Sequence, residues 1–172
     1  GIRRLRNLQN ADAIPPCIVR MGTTLATNAL LERRGVKTGL VISQGFGDLH
    51  TIGTQARPSI FALDIEAVRP LYTDVCEVKT RCSSNGEILF EAPPDDIDTR
   101  LKQWKQNGLR AVAISIMHAS AAPGPELRLA ERVREAGLIP FCSHRSSREQ
   151  GILRRSETAL VDAYLTPLLS DY

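Results

Sequence analysis

The chain has 172 residues, of which 42% are hydrophobic and 24% are charged, and its formal net charge is +3. This length and composition are typical of one globular domain with a substantial core, and they exclude a largely disordered chain. Aromatic residues make up only 5%, and the arginines are spread along the chain, so we expect no nucleic-acid partner. No run approaches the about 18 apolar residues of a membrane span, so we expect no membrane insertion.

The four cysteines, Cys17, Cys76, Cys82 and Cys142, show neither a C-x-x-C pair nor histidines at metal-ligand spacing. We therefore expect free thiols, no metal site built on them, and a cytoplasmic protein. Residues 1–10 are basic but lack the apolar stretch of a signal peptide. Because the chain does not begin with methionine, we expect it to start inside a longer reading frame.

The first part of the chain predicts a strand, a helix and a second strand. Residues 17–21 are an apolar run after two prolines, and we expect a buried strand there. Residues 25–34 are rich in Ala and Leu and predict a helix, with Gly35 as its left-handed C-cap. Residues 36–43 predict a strand that a right-handed crossover would place parallel to the first. Residues 44–58 predict a loop with one helical turn.

The rest of the chain predicts a hairpin and then alternating helices and strands. Alternation over residues 75–81, the pair Asn85 and Gly86, and the run 87–91 indicate an antiparallel hairpin. The further predicted elements are helices over 95–107, 125–136 and 156–169 and strands over 109–117 and 138–143. The run 109–117 is apolar throughout, which favours a central strand covered on both faces. The order predicts an α/β domain with a mixed sheet and helices on both faces.

The most informative local feature is Met-Gly-Thr-Thr at residues 21–24, between the predicted strand and helix. Gly22 would let the backbone approach a ligand closely, and the first N–H groups of a helix attract anions. Thr23 and Thr24 add hydroxyl donors. These residues are candidates for binding a phosphate group; the alternative is an ordinary N-cap, in which a threonine oxygen accepts from the first amides. The chain contains no Walker sequence.

Four other polar residues are candidates for ligand contacts. Asn28 lies one helical turn beyond Thr24, although a polar contact at the edge of the core would explain it equally well. His118 directly follows the predicted central strand, where the alternative is a structural role. Gln55 and Arg57 lie in the loop after the second strand. Arg57 could bind a carboxylate with two hydrogen bonds, or it could be a solvated loop residue.

Residues 21–34, with the sequence MGTTLATNALLERR, resemble the G-T-T-x-x-T-N-A-L-[IL]-E-R segment of the hydantoinase A/5-oxoprolinase family. The agreement continues in blocks within residues 45–63, 71–81 and 154–167, so the similarity covers nearly the whole chain. The methionine before Gly22 and the string IGTQARP at residues 52–58 are more similar to 5-oxoprolinases than to bacterial N-methylhydantoinases.

The resemblance implies a ribonuclease-H-like half of an actin/sugar-kinase-like ATPase. It implies ATP-dependent hydrolysis of a five-membered cyclic amide, with ATP and Mg²⁺ as cofactors and a homo-oligomer or a complex with a second hydantoinase subunit. Carried onto this chain, it places Gly22, Thr23, Thr24 and Asn28 at the nucleotide. Gln55 and Arg57 are expected near the cyclic amide, and His118 at the strand end is expected to contact substrate or nucleotide.

The chain departs from the family pattern in its motifs and in its length, because full family chains are several times longer. Family members carry a glycine-rich phosphate hairpin, D-x-G-G-T-x-T-D, before the G-T-T block, and no such string precedes Gly22. We therefore expect residues 1–172 to be one domain fragment, incomplete at its N-terminus and inactive alone. The alternatives are an ATP-using subunit of an acetone or acetophenone carboxylase and a non-catalytic interaction domain.

Overall fold

The structure, a computed structural model, describes residues 2–18, 24–56, 61, 69–91 and 97–170. The helices within these residues are α1 (Ile2–Leu5), α2 (Leu25–Leu31), α3 (Leu49–Ile52), α4 (Ile97–Gln106), α5 (Gly124–Glu135), α6 (Ser143–Ser146) and α7 (Ile152–Ser170). The strands are β1 (Thr38–Ser43), β2 (Asp74–Val78), β3 (Thr80–Cys82), β4 (Ile88–Glu91), β5 (Ala111–Ser115) and β6 (Ile139–Cys142).

Four strands form one parallel sheet in the order β2-β1-β5-β6. Gly39 of β1 lies opposite Asp74 of β2 and Val112 of β5, and Ala111 of β5 lies opposite Ile139 of β6. The antiparallel pair β3-β4 forms a separate two-stranded sheet. All four parallel strands therefore present their carboxyl ends at the same edge of the main sheet.

Side chains of the central strands alternate between two hydrophobic clusters, one on each face of the sheet. On one face, Val41 and Val112 belong to the same cluster as Trp104 of α4 and residues of α5. On the other face, Leu40 belongs to a cluster with Leu160 of α7. The expected α/β architecture, with helices on both faces, is confirmed.

Local signals placed several elements correctly. Ile97, Leu101 and Trp104 are spaced four and three residues apart and form the buried face of α4. This helix is followed by Gly108 at φ +81°, a backbone conformation that glycine adopts without strain. The predicted central strand is confirmed, because β5 is buried along its whole length between β1 and β6. No helix of the described ranges is long and apolar enough to span a membrane.

The prediction of a buried strand over residues 17–21 is wrong where the structure describes it. Cys17 and Ile18 are outside any strand, and Ile18 is 91% exposed. An apolar run predicts a buried strand only if a neighbouring element covers it, and no helix or strand of the described ranges covers Ile18. Residues 19–21 lie outside the described residues.

Two further expectations need correction. The left-handed residue after α2 is Arg33, at φ 52°, and not Gly35. A side chain at Gly35 would collide with the ring of Tyr164, so the lack of a side chain there serves packing. The predicted strand over residues 75–81 is divided between two sheets, because β2 joins β1 in the main sheet whereas β3 pairs with β4.

Candidate functional site at the carboxyl edge of the sheet

The carboxyl ends of the parallel strands carry several buried polar groups. Ser43 ends β1, Ser115 ends β5, and Ser143 follows β6; all three are buried. Open α/β sheets bind their ligands at this edge. The polar groups that meet at this edge are therefore candidates for a functional site.

Glu126, in the first turn of α5, is fully buried and accepts hydrogen bonds on both carboxylate oxygens. Its Oε1 accepts from the backbone N–H of Ile116 at 2.8 Å and from Oγ of Ser143 at 2.5 Å. Its Oε2 accepts from the backbone N–H of His144 at 3.1 Å and lies 2.6 Å from Nδ1 of that ring. Because these partners belong to different segments, the carboxylate joins the start of α5 to the ends of β5 and β6.

Arg155 of α7 is the matching buried cation, with no exposed surface. Its Nε donates to Oγ of Ser143 at 2.8 Å, and its Nη2 donates to the backbone oxygen of Ile116 at 2.7 Å. Its Nη1 donates to the backbone oxygens of Gln150 at 2.9 Å and Glu149 at 3.3 Å. The guanidinium thus holds the segment before α7 against the end of β5.

Opposite charges meet in this cluster through one hydroxyl group. Ser143 accepts from Arg155 and donates to Glu126, so the two charged groups share a bridging partner. Burial lowers the pKa of Arg155, and the negative charge of Glu126 acts in the opposite direction. A buried cation persists only where hydrogen bonds and a counter-charge replace its hydration, as they do here.

The same cluster fixes the backbone that leads to His118. Glu126 binds the N–H of Ile116, and Arg155 binds its carbonyl oxygen. The next amide, that of Met117, donates to Oγ of Ser43 at 2.9 Å. His118 follows at φ 58°, half-buried, in a left-handed conformation that is uncommon for residues other than glycine. We infer that Glu126 and Arg155 are positioning residues for this edge.

A second histidine lies beside the start of α7. Ser156 donates its hydroxyl proton to the backbone oxygen of Leu153 at 2.8 Å, so it accepts from Nε2 of His50 at 2.9 Å. His50 also contacts the ring of Tyr72 edge-on, at 5.7 Å between centroids. Burial lowers the pKa of His50, which favours the neutral ring.

The predicted nucleotide residues lie partly within the described ranges. Gly22 and Thr23 lie outside them. Thr24 is the N-cap residue of α2, but its side chain makes no capping hydrogen bond. Instead its Oγ1 accepts from Nδ2 of Asn28 at 3.5 Å, and both residues are exposed. The alternative of an ordinary side-chain cap is thus wrong for Thr24, because its hydroxyl is directed along the helix to Asn28.

The predicted substrate residues are distributed over two segments. Gln55 is exposed, at φ 56°, three residues after α3, and Arg57 lies outside the described residues. His118 follows β5. Within the described part of the chain, no hydrogen bond or ion pair links Thr24 or Asn28 to Gln55 or His118. Whether these residues share one site stays a prediction.

The hydantoinase/oxoprolinase N-terminal region, as a sequence family, matches residues 2–137 of the chain. The chain belongs to this family. The chain is 35% identical over 202 residues to 5-oxoprolinase 1 of Arabidopsis thaliana. It is 34% identical over 206 residues to 5-oxoprolinase of Dictyostelium discoideum. Each alignment covers 100% of this chain but 16% of the relative, so the chain spans about a sixth of their length.

The chain is also similar to proteins that are not named 5-oxoprolinases. The acetophenone carboxylase gamma subunit of Aromatoleum aromaticum is 30% identical over 166 residues, which cover 86% of this chain and 22% of that subunit. The crystal structure of ATP-dependent caprolactamase from Pseudomonas jessenii matches with a TM-score of 0.72 and 27% identity, over 88% of this chain and 23% of that one. Nucleotide-free acetone carboxylase matches with a TM-score of 0.71 and 19% identity, over 83% and 22%, which supports the shared fold alone.

The donor set of this region does not fit the Mg²⁺ that the family resemblance implies. Among the described residues, the group of three potential ligands is Glu126, Cys142 and His144, whose ligand atoms all lie within 4.8 Å of one another. Burial, and then the charge of Glu126, raise the pKa of the Cys142 thiol to about 11, so the sulfur is protonated. Mg²⁺ prefers several oxygen ligands and retains water, whereas this cluster offers one carboxylate with both oxygens engaged.

Sequence inspection alone missed the central residues of this cluster. Glu126 appeared as one acidic residue of an amphipathic helix, and Arg155 appeared only as part of a matching family block. The available signal was the position of Ser143 and His144, two polar residues directly after a strand. No local pattern predicts that a glutamate and an arginine 29 residues apart, by their numbers, are both buried.

Proposed function

We propose that these residues are part of an ATP-dependent hydrolase that opens a five-membered cyclic amide of the 5-oxoproline or hydantoin type. The observation that carries this proposal is the match of the whole chain to 5-oxoprolinases at 34% and 35% identity. The similarity to ATP-dependent caprolactamase supports it, because a lactam is also a cyclic amide. Since the chain spans 16% of those 5-oxoprolinases, the activity is proposed for the protein that contains it.

The chemistry explains why ATP would be needed. An unstrained amide resists attack by water, because its carbonyl carbon is a weak electrophile. Transfer of the terminal phosphoryl group of ATP to the amide oxygen would activate that carbon and supply phosphate as a leaving group. Water would then add to the carbon, and the C–N bond would break with proton transfer to the nitrogen, which leaves an acyl phosphate. A second water molecule would hydrolyse the acyl phosphate to a carboxylate and phosphate, and ADP would be released. ATP and the cyclic amide are therefore both substrates in this proposal.

The proposed nucleotide contacts are Gly22, Thr23, Thr24 and Asn28. The support from geometry is limited to the last two residues: both are exposed, and the Thr24 hydroxyl is not used as a helix cap. An exposed hydroxyl and an exposed amide are available to a phosphate group without breaking a buried contact. Mg²⁺ would enter with ATP, because the described residues do not supply its ligands.

The proposed contacts to the cyclic amide are Gln55, Arg57 and His118. The support for His118 is its place three residues after the end of β5, at the edge held by Glu126 and Arg155. We further propose a cytoplasmic location and assembly as a homo-oligomer or with a second hydantoinase subunit. No nucleic-acid partner is proposed.

The test measures ADP release by the product of the complete reading frame that contains these residues. ADP release should depend on 5-oxoproline or a hydantoin, and it should be lost when Thr23 and Thr24 are both changed to valine. Thr99→Val is the matched control, because Thr99 is an exposed threonine on α4, and it should leave the rate unchanged. The 172-residue chain alone is expected to release no ADP. ADP release at the same rate with and without every cyclic amide tested would contradict the proposal.

A second candidate is the ATP-using subunit of a ketone carboxylase. The observation that favours it is the 30% identity to the acetophenone carboxylase gamma subunit over 86% of this chain. The two candidates differ in their co-substrate. ADP release that requires acetone or acetophenone together with bicarbonate, and that ignores cyclic amides, would select the carboxylase.

A further inference from the structure

Three side chains with ligand atoms for a transition metal meet at the end of β6. Glu126 of α5, Cys142 of β6 and His144 of α6 each offer one ligand atom, and these atoms all lie within 4.8 Å of one another. Glu126 and Cys142 are buried, whereas the side chain of His144 is 14% exposed. The group therefore lies just beneath the surface, and His144 is the member that solvent reaches.

The chemistry of this group fits Zn²⁺, although it does not fit Mg²⁺. Zn²⁺ binds thiolate sulfur, imidazole nitrogen and carboxylate oxygen in a tetrahedron whose fourth position is often taken by water. Mg²⁺, by contrast, prefers oxygen ligands and loses its water reluctantly. A cysteine and a histidine beside a carboxylate are therefore typical of a zinc site.

The distances in the group are close to those that Zn²⁺ requires. In a zinc tetrahedron the ligand atoms lie about 3.3–3.6 Å apart. Nδ1 of His144 and Oε2 of Glu126 are 2.6 Å apart, so they would separate by about 0.7 Å as the ion replaces their hydrogen bond. The other pairs would close by at most about 1.5 Å, because none exceeds 4.8 Å. The partly exposed ring of His144 has the freedom to make this adjustment.

The partners of Glu126 already orient the carboxylate as a metal ligand. Its Oε1 accepts from the backbone N–H of Ile116 and from Oγ of Ser143, which in turn accepts from Arg155. These bonds fix the carboxylate and leave Oε2 beside the ring of His144. Outer hydrogen bonds of this kind orient the ligands of metal sites and strengthen metal binding.

Metal binding requires a defined protonation state at two ligands. Burial, and then the charge of Glu126, raise the pKa of the Cys142 thiol to about 11, so this thiol releases its proton to water when the ion binds. Nδ1 of His144 must present a lone pair, so the neutral ring keeps its hydrogen on Nε2. The two positive charges of Zn²⁺ then compensate the buried carboxylate and thiolate.

We propose that Glu126, Cys142 and His144 bind Zn²⁺ with water as the fourth ligand, and that the ion joins the start of α5 to β6 and α6. Spacing along the sequence predicted no metal site on the cysteines, because Glu126 precedes Cys142 by 16 residues, by their numbers. This site is additional to the proposed contacts to ATP and the cyclic amide, so its test does not depend on turnover.

The first test is titration of the purified, reduced chain with Co²⁺, which occupies zinc sites and absorbs visible light. A thiolate ligand gives a charge-transfer band in the near ultraviolet, and tetrahedral coordination gives intense visible bands. We expect both to saturate at a single ion per chain with a Kd of about 10 µM or below, and Zn²⁺ to remove them. A large excess of Mg²⁺ should not remove them. No thiolate band, or a band that Mg²⁺ removes, overturns the proposal.

Variants identify the ligands. Cys142→Ser should abolish the thiolate band, and His144→Asn should weaken Co²⁺ binding by at least about tenfold. Asparagine places an amide N–H group near the position of Nδ1, so this variant keeps a donor for Glu126. Cys17→Ser is the matched control, because Cys17 is an exposed free thiol, and it should leave the band and the Kd unchanged. A band that persists in Cys142→Ser, or that disappears in Cys17→Ser, assigns the ion to another thiol and overturns the proposal.

Thermal unfolding tests whether the ion joins the three elements. At a Zn²⁺ concentration about 100 times its Kd, the Tm of the wild-type chain should rise by about 5 °C, because the folded chain brings the ligands together. The Tm of Cys142→Ser, whose folding without metal is checked by circular dichroism, should not respond to Zn²⁺. A wild-type Tm that Zn²⁺ leaves unchanged, or an equal rise in Cys142→Ser, contradicts the proposed site.

Discussion

Replacing Glu126 with glutamine should destabilise the protein far more than a surface change of the same type. The carboxylate is fully buried and accepts from Ile116, Ser143 and His144. Glutamine keeps one acceptor oxygen, so the bonds from Ile116 and Ser143 become neutral and lose about 1 kcal/mol each. Its amide N–H₂ group would face the backbone N–H of His144, which costs about a further 1–3 kcal/mol. Relief of the buried charge offsets part of this.

We therefore expect Glu126→Gln to lower the free energy of unfolding by about 3 kcal/mol, above the about 1 kcal/mol of an average substitution. Urea unfolding followed by circular dichroism measures this free energy. The slope of the free energy against urea concentration should be the same in both proteins, because the variant should expose the same surface on unfolding. The control is Glu131→Gln on the same helix, where the Glu131 side chain pairs with Arg134 and is 69% exposed. This control should lower the free energy of unfolding by less than about 0.5 kcal/mol. A loss below about 1 kcal/mol for Glu126→Gln would refute the assignment of a carboxylate that is hydrogen-bonded on both oxygens.

Three further predictions concern packing, thiol reactivity and pH. Gly39→Ala should lower the free energy of unfolding by about 1–3 kcal/mol, because the new Cβ would lie 2.5 Å from an indole carbon of Trp104 in α4. The control is Gly151→Ala, whose new Cβ would have no atom within 4 Å, and it should leave the thermal unfolding temperature nearly unchanged. In the folded protein, iodoacetamide at about pH 8 should label exposed Cys17 and spare buried Cys142, whose pKa is raised to about 11; equal labelling, measured by mass spectrometry, would contradict this. Because burial lowers the pKa of His50 below its ordinary 6.5, the unfolded chain binds more protons below that pH, and the free energy of unfolding falls as the pH drops. His50→Gln should make that fall smaller, and an identical pH profile would show that His50 does not contribute.

The loss of stability at acidic pH follows from the lowered pKa of His50. A lowered pKa in the folded state means that protonation favours the unfolded chain, so the contribution is present at neutral pH and is lost under acidic conditions. Two other groups contact the same ring, the phenol ring of Tyr72 and the hydroxyl of Ser156, and Arg33, Arg69 and Glu157 line a cavity together with it. Comparison of wild type and His50→Gln removes the contributions that both proteins share.

Elements with a strong local signal could be predicted from the sequence. The spacing of Ile97, Leu101 and Trp104 defines the buried face of α4 in any context that covers it. The glycines that follow α4 and α5, Gly108 and Gly137, both have positive φ, as expected for residues that end a helix. The family, too, was evident from a short string of residues, because the match over residues 2–137 agrees with the resemblance of residues 21–34.

The positions that were predicted wrongly depend on distant partners. Gly35 has the sequence context of a helix cap, but the ring of Tyr164 decides its role, 129 residues later by their numbers. Ile18 is apolar and exposed, because apolar character does not determine whether a neighbour covers a residue.

By itself, the sequence determined the family, the α/β class and the carboxyl ends of α4 and α5, because periodicity, glycine positions and a conspicuous motif are properties of neighbouring residues. Only the tertiary structure decided that Glu126 and Arg155 meet at the carboxyl edge through Ser143, and that His50 of α3 contacts Ser156 of α7. The physical reason is that burial and hydrogen bonding of charged groups depend on segments far apart in the chain. A local sequence pattern does not predict which distant segment supplies the compensating charge or hydrogen-bond donor.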